Sequence, residues 1–346
     1  MTTSRSAQPH QETVTSPAAP LRRAGRPIPA EGEGGVFTQS WFPICRSTDV
    51  IPGKVFGTTF LDGRVVAFRG NDGVAQVLSA YCPHLGTDLG VGSVVDDTVV
   101  CALHRWQFDR SGACTQTGTG LRDAPPAAAR LFRFPTVERW GLIWAFNGTE
   151  PLWELPDLRF PDDELVVHVG ELGTMLDVDP WVFCCNTMDI QHLEALHGTE
   201  YDPQVLLGDE AFTATEFSTF IELKCARYGT PMHYNYGVWG TSFFTLDAEI
   251  SGRWYGVVDA LAMPSPGKTH TYILGFAQKT GDDLADAAQA ASAYCWERDV
   301  LIEDLPVFQN LHFRPGPPTK SDRSVVKFYE YLRKYPRAHP SADFIN

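Results

Sequence analysis

At 346 residues the chain is long enough for two domains of ordinary size. Hydrophobic residues at 43% and charged residues at 20% give a globular balance that can bury a core without help from disulfides. A formal net charge of -14 argues against the broad basic face that a phosphate backbone selects, and no apolar run approaches the roughly 20 residues that span a bilayer, so neither a nucleic-acid partner nor a membrane span is expected.

In chain order, residues 1–35 are rich in Pro, Gly, Ala and Ser, lack the apolar centre of a secretory signal, and read as a disordered leader. Residues 36–150 carry the punctuation of a small all-β unit. The runs Val55 to Leu61, Arg64 to Phe68 and Val74 to Ser79 are separated by the turn dipeptides Asp62-Gly63 and Asp72-Gly73, and Thr98 to Ala102 and Gly141 to Phe146 continue the meander. Residues 151–164, Pro- and acid-rich without a period, read as a linker. In residues 165–346 two helical segments bracket a β-rich middle. The first starts at Asp179-Pro180, where Asp can cap and Pro fits the first turn, and runs through His197. The second starts at Asp282 or Asp283 and stops at Pro306. Between them, Phe212 to Leu223, His233 to Val238, Ser242 to Ile250, Arg253 to Met263 and Thr269 to Ala277 predict an antiparallel sheet that holds long helices on one face.

The eight cysteines are scattered, and with no export signal a reducing cytoplasm is the expected compartment, where grouped Cys and His suggest metal. Cys82 and His84 form a C-x-H pair and Cys101 and His104 a C-x-x-H pair, with 16 residues between His84 and Cys101. Two thiolates on one iron and two imidazoles on the other are the ligand set of a Rieske 2Fe-2S cluster, whose potential the neutral imidazoles raise to roughly -150 to +300 mV. A structural zinc site also accepts two Cys and two His, but its loops usually pair like with like. Gly86, Gly90, Gly92 and Gly112 allow close backbone approach. Trp106 and Phe108 read as packing that shields the cluster, and Cys114 as a buried thiol.

The loops C-P-H-L-G-x-D-L-x-x-G and C-x-L-H-x-W-x-F resemble those of the Rieske oxygenases, with one departure: Arg105 stands where a Gly often follows the second His. Downstream, DPWVFCCNTMDIQHLEALHG contains Asn186, Asp189, His192 and His197. The first three are i, i+3 neighbours along one helical stripe, but five residues put His197 roughly 140° from His192, so the helix must bulge or end between them. Two imidazoles and a carboxylate make the facial triad of non-haem iron oxygenases, which leaves positions open for dioxygen. WERDVLIEDLPVFQN offers Asp299, Glu303 and Asp304 as the third ligand. Asp304 is chosen because Glu303-Asp304-Leu305-Pro306-Val307-Phe308 resembles the acidic pattern of steroid-hydroxylating members, with Asp299 as the alternative.

The resemblance implies an α+β fold, with an N-terminal all-β Rieske domain over residues 36–150 and a helix-grip (START-like) catalytic domain over 165–346. It implies a cluster on Cys82, His84, Cys101 and His104, mononuclear Fe(II) on His192, His197 and Asp304, and O2 as co-substrate. Asn186 would sit near the iron. Asp189 would hydrogen-bond an iron-binding His and receive a cluster His of the next subunit in a head-to-tail homotrimer. Electrons would come from a separate ferredoxin or NAD(P)H reductase, since no G-x-G-x-x-G follows a strand. The loops are most similar to the group containing the 3-ketosteroid 9α-hydroxylase oxygenase and cholesterol 7-desaturase, which implies hydroxylation of a bulky, largely apolar steroid-like, polycyclic or alkaloid molecule. Desaturation or oxidative cyclisation, arene dihydroxylation and arylamine N-oxygenation are the alternatives, and a plain electron carrier a further one. Phe183, Met188, Tyr236, Trp239 and Phe244 are candidate pocket walls, and Cys184 and Cys185 packing residues.

Overall fold

The computed structural model describes residues 26–118, 124–202, 204–205 and 212–346. Residues 1–25 of the expected leader lie outside that range. Residues 26–35, read as part of the same disordered leader, are held in place instead. Ile28 enters the core, and the Glu31 carboxylate accepts from the Thr38 amide and hydroxyl at 2.9 Å each. Arg333 and Arg337 donate to the carbonyls of residues 26, 27, 29 and 30. Composition alone did not show these long-range donors.

The N-terminal unit is built of short antiparallel strands: β1 (Phe37–Thr38), β2 (Trp41–Arg46), β3 (Phe56–Phe60), β4 (Gly63–Arg69), β5 (Ala75–Ser79), β6 (Ser93–Val95), β7 (Thr98–Val100), β8 (Gln107–Phe108), β9 (Cys114–Gln116), β10 (Thr136–Arg139) and β11 (Leu142–Phe146). They form the sheets β10-β11-β2, β3-β4-β5 and β6-β7-β8-β9. The predicted Asp-Gly turn at 62–63 joins β3 to β4; Asp62 lies in the left-handed region that a tight hairpin demands.

Then follow β12 (Leu165–Glu171), α1 (Pro180–Met188), α2 (Ile190–Ala195), β13 (Thr199–Tyr201), β14 (Phe212–Ala214), β15 (Ser218–Arg227), β16 (Thr230–Trp239), β17 (Phe243–Ile250), β18 (Arg253–Ala262), β19 (His270–Gln278), α3 (Asp283–Phe308), α4 (Arg323–Lys334), β20 (Arg337–Ala338) and α5 (Ala342–Ile345). The large antiparallel sheet runs β12-β19-β18-β17-β16-β15-β13, with β14 on β15. One face carries the helices, and the other meets the N-terminal unit, which is the α+β arrangement expected. Period-2 alternation divides the labour: Val257 and Leu261 of β18 face the helices, whereas Val258 and Ala260 pack with Trp41, Trp144 and Phe146 across the unit boundary. Residues 151–164 are irregular but not a free tether, because Trp153, Leu155, Leu158 and Phe160 join that aromatic core. The last strand, β20, pairs with β1, and Ile345 is buried in the N-terminal core.

Three local expectations change. Asp179 stands at the start of α1, yet its carboxylate accepts from the amides of Glu31 at 3.0 Å and Gly267 at 2.7 Å rather than capping the helix. The single first helix is broken at Asp189, whose φ of -92° and ψ of 91° are extended, so Asn186, Asp189 and His192 do not share one helical stripe. Asp282 caps α3 through the Ala285 amide at 3.1 Å, as predicted, but α3 runs through Pro306 to Phe308. Proline there removes only the bond to the carbonyl of half-exposed Ile302, while burial of Phe308 holds the last turn.

Close approach of α3 to the sheet requires glycine on β12 and β19. A Cβ on Gly275 would lie 2.3 Å from the Ala290 carbonyl oxygen and from the Tyr294 nitrogen, both backbone atoms of α3; a Cβ on Gly170 would lie 2.0 Å from the Tyr294 ring. Gly275→Ala is therefore expected to lift α3, to cost about 1–3 kcal/mol in thermal unfolding, and to lower iron retention by moving the far half of the helix.

Candidate metal centres

The first constellation sits on two loops of similar build. Gly86 N donates to the Cys82 carbonyl at 2.8 Å and Arg105 N to the Cys101 carbonyl at 3.1 Å, each four residues after its cysteine. Gly86 and Arg105 have φ of 76° and 62°. Arg105 thus occupies the left-handed position that its loop demands, where a side chain costs about 1–2 kcal/mol relative to glycine. Arg105 is exposed and follows His104 directly in the chain.

Cys82 and Cys101 are buried, while His84 and His104 are exposed with ring centroids 4.7 Å apart. Burial pushes the Cys82 thiol up to about 11 while the amides of His84 and Leu85, directed at it, pull the other way. Those amides are the donors that cluster sulfurs accept from. Trp106 stacks on His84 at 4.4 Å, and Phe108 is fully buried, so both have the packing roles expected. Cys114 is half-buried rather than buried. Exposed Leu85 and Leu103, at 67% and 55%, flank the imidazoles.

The second constellation is assembled where α1 and α2 break. α2 ends at Ala195, and Gly198 at φ 62° turns the chain into β13, so His197 lies beyond the helix, as the 140° argument required. The ligand atoms of His192, His197 and Asp304 all lie within 4.8 Å of one another. The Nδ1 atoms of both rings are engaged from behind. His197 Nδ1 donates to Glu303 Oε2 at 2.7 Å, and Arg227 holds Glu303 by two contacts of 3.0 Å. His192 Nδ1 donates to the Asp189 carbonyl. Each Nε2 is therefore left as a lone pair: that of His192 lies 3.1 Å from the Asn186 amide nitrogen, and that of buried His197, 3.3 Å from Asp304 Oδ1, has no hydrogen-bond donor. Two neutral nitrogens, one carboxylate and an orphaned acceptor form a donor set that fits a divalent iron.

Burial lowers His192, against the pull of Asp304. For His197, burial is outweighed by Asp304 and Glu303, and its affinity for protons rises. Asn186 Nδ2 lies 3.1 Å from His192 Nε2 and 3.4 Å from Asp304 Oδ1, beside the centre as expected. The Asp189 carboxylate does not make the expected contact with a histidine; it accepts from the Gln191 amide at 3.1 Å, and its main-chain carbonyl meets His192. Burial raises the Asp189 carboxyl, with His192 opposing. Asp299 is exposed, paired with Arg298, and faces away.

Over this centre lies a narrow cavity of about 50 Å3, room for a few water molecules. Phe183, Tyr236 and Phe244 line it, as predicted; Met188 lies in the core, and Trp239 is turned to the opposite sheet face by the alternation of β16. Arg227, Tyr234, Asp259, Trp296 and Glu297 also line it and were missed. Asp259 carried a signal, as a lone acid inside the apolar strand Val257 to Met263, and so did Glu297, seven residues before Asp304 on one helical stripe.

The two centres define an iron-dependent oxidoreductase of two-domain type. The model of the Rieske [2Fe-2S] domain matches residues 40–125. Aminopyrrolnitrin oxygenase PrnD of Pseudomonas fluorescens is 32% identical over 332 residues, 85% of this chain and 90% of that one. The chain belongs to the Rieske non-haem iron oxygenases, which carry a 2Fe-2S cluster and mononuclear iron and use O2. Cholesterol 7-desaturase of Bombyx mori is 29% identical over 197 residues, and the match spans about two fifths (40%) of that longer protein. The solved structure of dicamba monooxygenase bound to dicamba shares the fold at a TM-score of 0.66 and 19% identity, covering 86% of this chain and 97% of that one; NdmA of Pseudomonas putida CBB5 with caffeine does so at 0.68 and 20%, covering 85% and 89%. No helix among the described residues is long and apolar enough to cross a membrane.

Glu303→Gln is expected to leave His197 without its anionic partner and to weaken ferrous binding about 10–100-fold, read by iron titration with the visible spectrum of the cluster unchanged.

Proposed function

We propose that the chain is a terminal oxygenase component that hydroxylates a largely apolar polycyclic or alkaloid-type small molecule. The observation that carries this reading is the convergence of His192, His197 and Asp304 beneath an aromatic-walled cavity. In it, Cys82, His84, Cys101 and His104 hold the cluster, and His192, His197 and Asp304 hold the iron. Iron bound by two imidazoles and a carboxylate keeps positions open for dioxygen, and the cluster supplies electrons. The residues around it do the rest. Glu303 and the Asp189 carbonyl hold both imidazoles in the tautomer that ligates, and Arg227 holds Glu303 in place by two contacts of 3.0 Å. Phe183, Tyr236 and Phe244 give the cavity above the centre its aromatic walls.

Electrons would enter from a separate ferredoxin or NAD(P)H reductase at the open histidine edge, where Leu85 and Leu103 give an apolar contact and Arg105 a cation. The half-buried Asp189, accessible beside His192, suits the intersubunit role implied for it in a homotrimer, and a reducing cytoplasm suits the uncrosslinked cysteines. Arylamine N-oxygenation is a second reading, favoured by the aminopyrrolnitrin oxygenase match along most of both chains.

Turnover with a surrogate reductase under labelled dioxygen is expected to place one labelled oxygen atom in the product. Product without label would replace hydroxylation by desaturation or oxidative cyclisation. Asp304→Ala is expected to keep the cluster spectrum and lose oxidation; activity that survives it contradicts the iron assignment.

A further inference from the structure

Six carboxylates are buried among the described residues: Glu31, Asp179, Asp259, Asp286, Glu297 and Asp304. Four of them are supplied with protein donors. Glu31 accepts from Thr38, and Asp179 from the amides of Glu31 and Gly267. Asp286 accepts from the Thr280 amide and hydroxyl at 2.8 and 2.6 Å, and Asp304 accepts from Asn186 Nδ2 at 3.4 Å. The remaining two, Asp259 and Glu297, face each other inside the cavity over the metal centre.

Their positions leave no doubt about direction. Asp259 lies on the helix-facing side of β18 between Val257 and Leu261, and its cross-strand neighbours are Phe244 and Ile273. It is 0% exposed, and neither carboxylate oxygen has a hydrogen-bond partner. Glu297, 4% exposed, comes from the inward stripe of α3, between Ala293 and Leu301. Burial pushes Asp259 well above the usual carboxyl range and the Glu297 charge pushes it further; burial also raises Glu297, to about 7. The two carboxyls place negative charge among apolar and aromatic side chains, and Arg227, the guanidinium on the same lining, is committed to Glu303 by two contacts of 3.0 Å. A mobile cation from the substrate fits that vacancy of charge. Tyr234 and Trp296, on the same cavity wall, present the ring faces that an ammonium also favours.

Glu297 and Asp304 lie on one stripe of α3, separated by about 10 Å of helix rise. We propose that Asp259 and Glu297 recognise a protonated amine of the substrate and hold it two helical turns along α3 from Asp304, so that the nitrogen anchors the molecule and another atom is oxidised. This rests on the oxygenase reading, narrows its substrate to a cationic alkaloid-like class, and separates it from N-oxygenation, which needs the nitrogen at the iron.

The test uses the full chain with cluster and ferrous iron, without reductant or dioxygen. Binding of 4-phenylbutylamine and of the uncharged 4-phenylbutan-1-ol is measured by calorimetry at neutral pH. The amine is expected to bind at least about tenfold more tightly, and Glu297→Gln is expected to remove that preference. Glu297→Leu, which puts an apolar group among apolar neighbours, serves where Glu297→Gln does not fold. Equal binding of the two probes, no binding of the amine at millimolar concentration, or a preference that survives loss of the carboxylate overturns the proposal. Oxygen uptake is read separately: its failure bears on the oxygenase reading, and failure of the amine preference on the recognition site alone.

Discussion

The contact on which the site depends is the seating of α3 against β12 and β19. A 26-residue helix bearing Glu297, Glu303 and Asp304 must lie near enough to the sheet to bring those carboxyls over His192 and His197, which stand on the other side of the cavity. Helices usually pack with side chains between the axes, and here that layer is thinned at one place by the missing side chains of Gly170 and Gly275. Tyr294 takes the space. Its ring fills the volume above Gly170, and its backbone touches the strand at Gly275, so the middle of the helix is pinned while the two turns that follow deliver the functional carboxylates.

Against that fixed helix the opposite wall is deliberately irregular. One continuous helix from Pro180 to His197 could not direct two imidazoles to one point, and the chain solves this twice, with an extended residue at Asp189 and a helix end before His197. The break at Asp189 also frees its main-chain carbonyl, which takes the His192 Nδ1 proton. Glu303 does the same for His197 from the facing helix. Adjacent carboxylates of one sequence, Glu303 and Asp304, therefore have different tasks because successive helical positions point about 100° apart: one stands behind an imidazole, the other in front of it.

Much of this was legible in the sequence, because metal ligation imposes residue types at short spacing. Cys82, His84, Cys101 and His104 sit on two loops, and the need for a helix end before His197 followed from angle alone. The large sheet was legible too, since its strands are aromatic and β-branched runs spaced by Gly, Pro and Asp. What stayed hidden was long-range. The ordering of residues 26–35 depends on Arg333 and Arg337, some 300 positions away, and no local pattern announces it. The break at Asp189 was invisible because Asn186, Asp189 and His192 keep helical spacing across it. Arg105 was visible as a departure, but its reason, a left-handed backbone at the turn, needed φ.

The helix stripe of α3 also fixes a length. Side-chain walls such as Phe183 and Tyr236 can change rotamer to meet molecules of different girth. The rise of a helix cannot be adjusted in that way. A group held at Glu297 and a group presented at Asp304 are separated by two turns of hydrogen-bonded backbone, so the protein measures its ligand against the stiffest element it owns. If Asp259 and Glu297 hold a substrate amine as proposed, girth would be met by the aromatic walls and the position of oxidation by the fixed spacing of Glu297 and Asp304 along one helix.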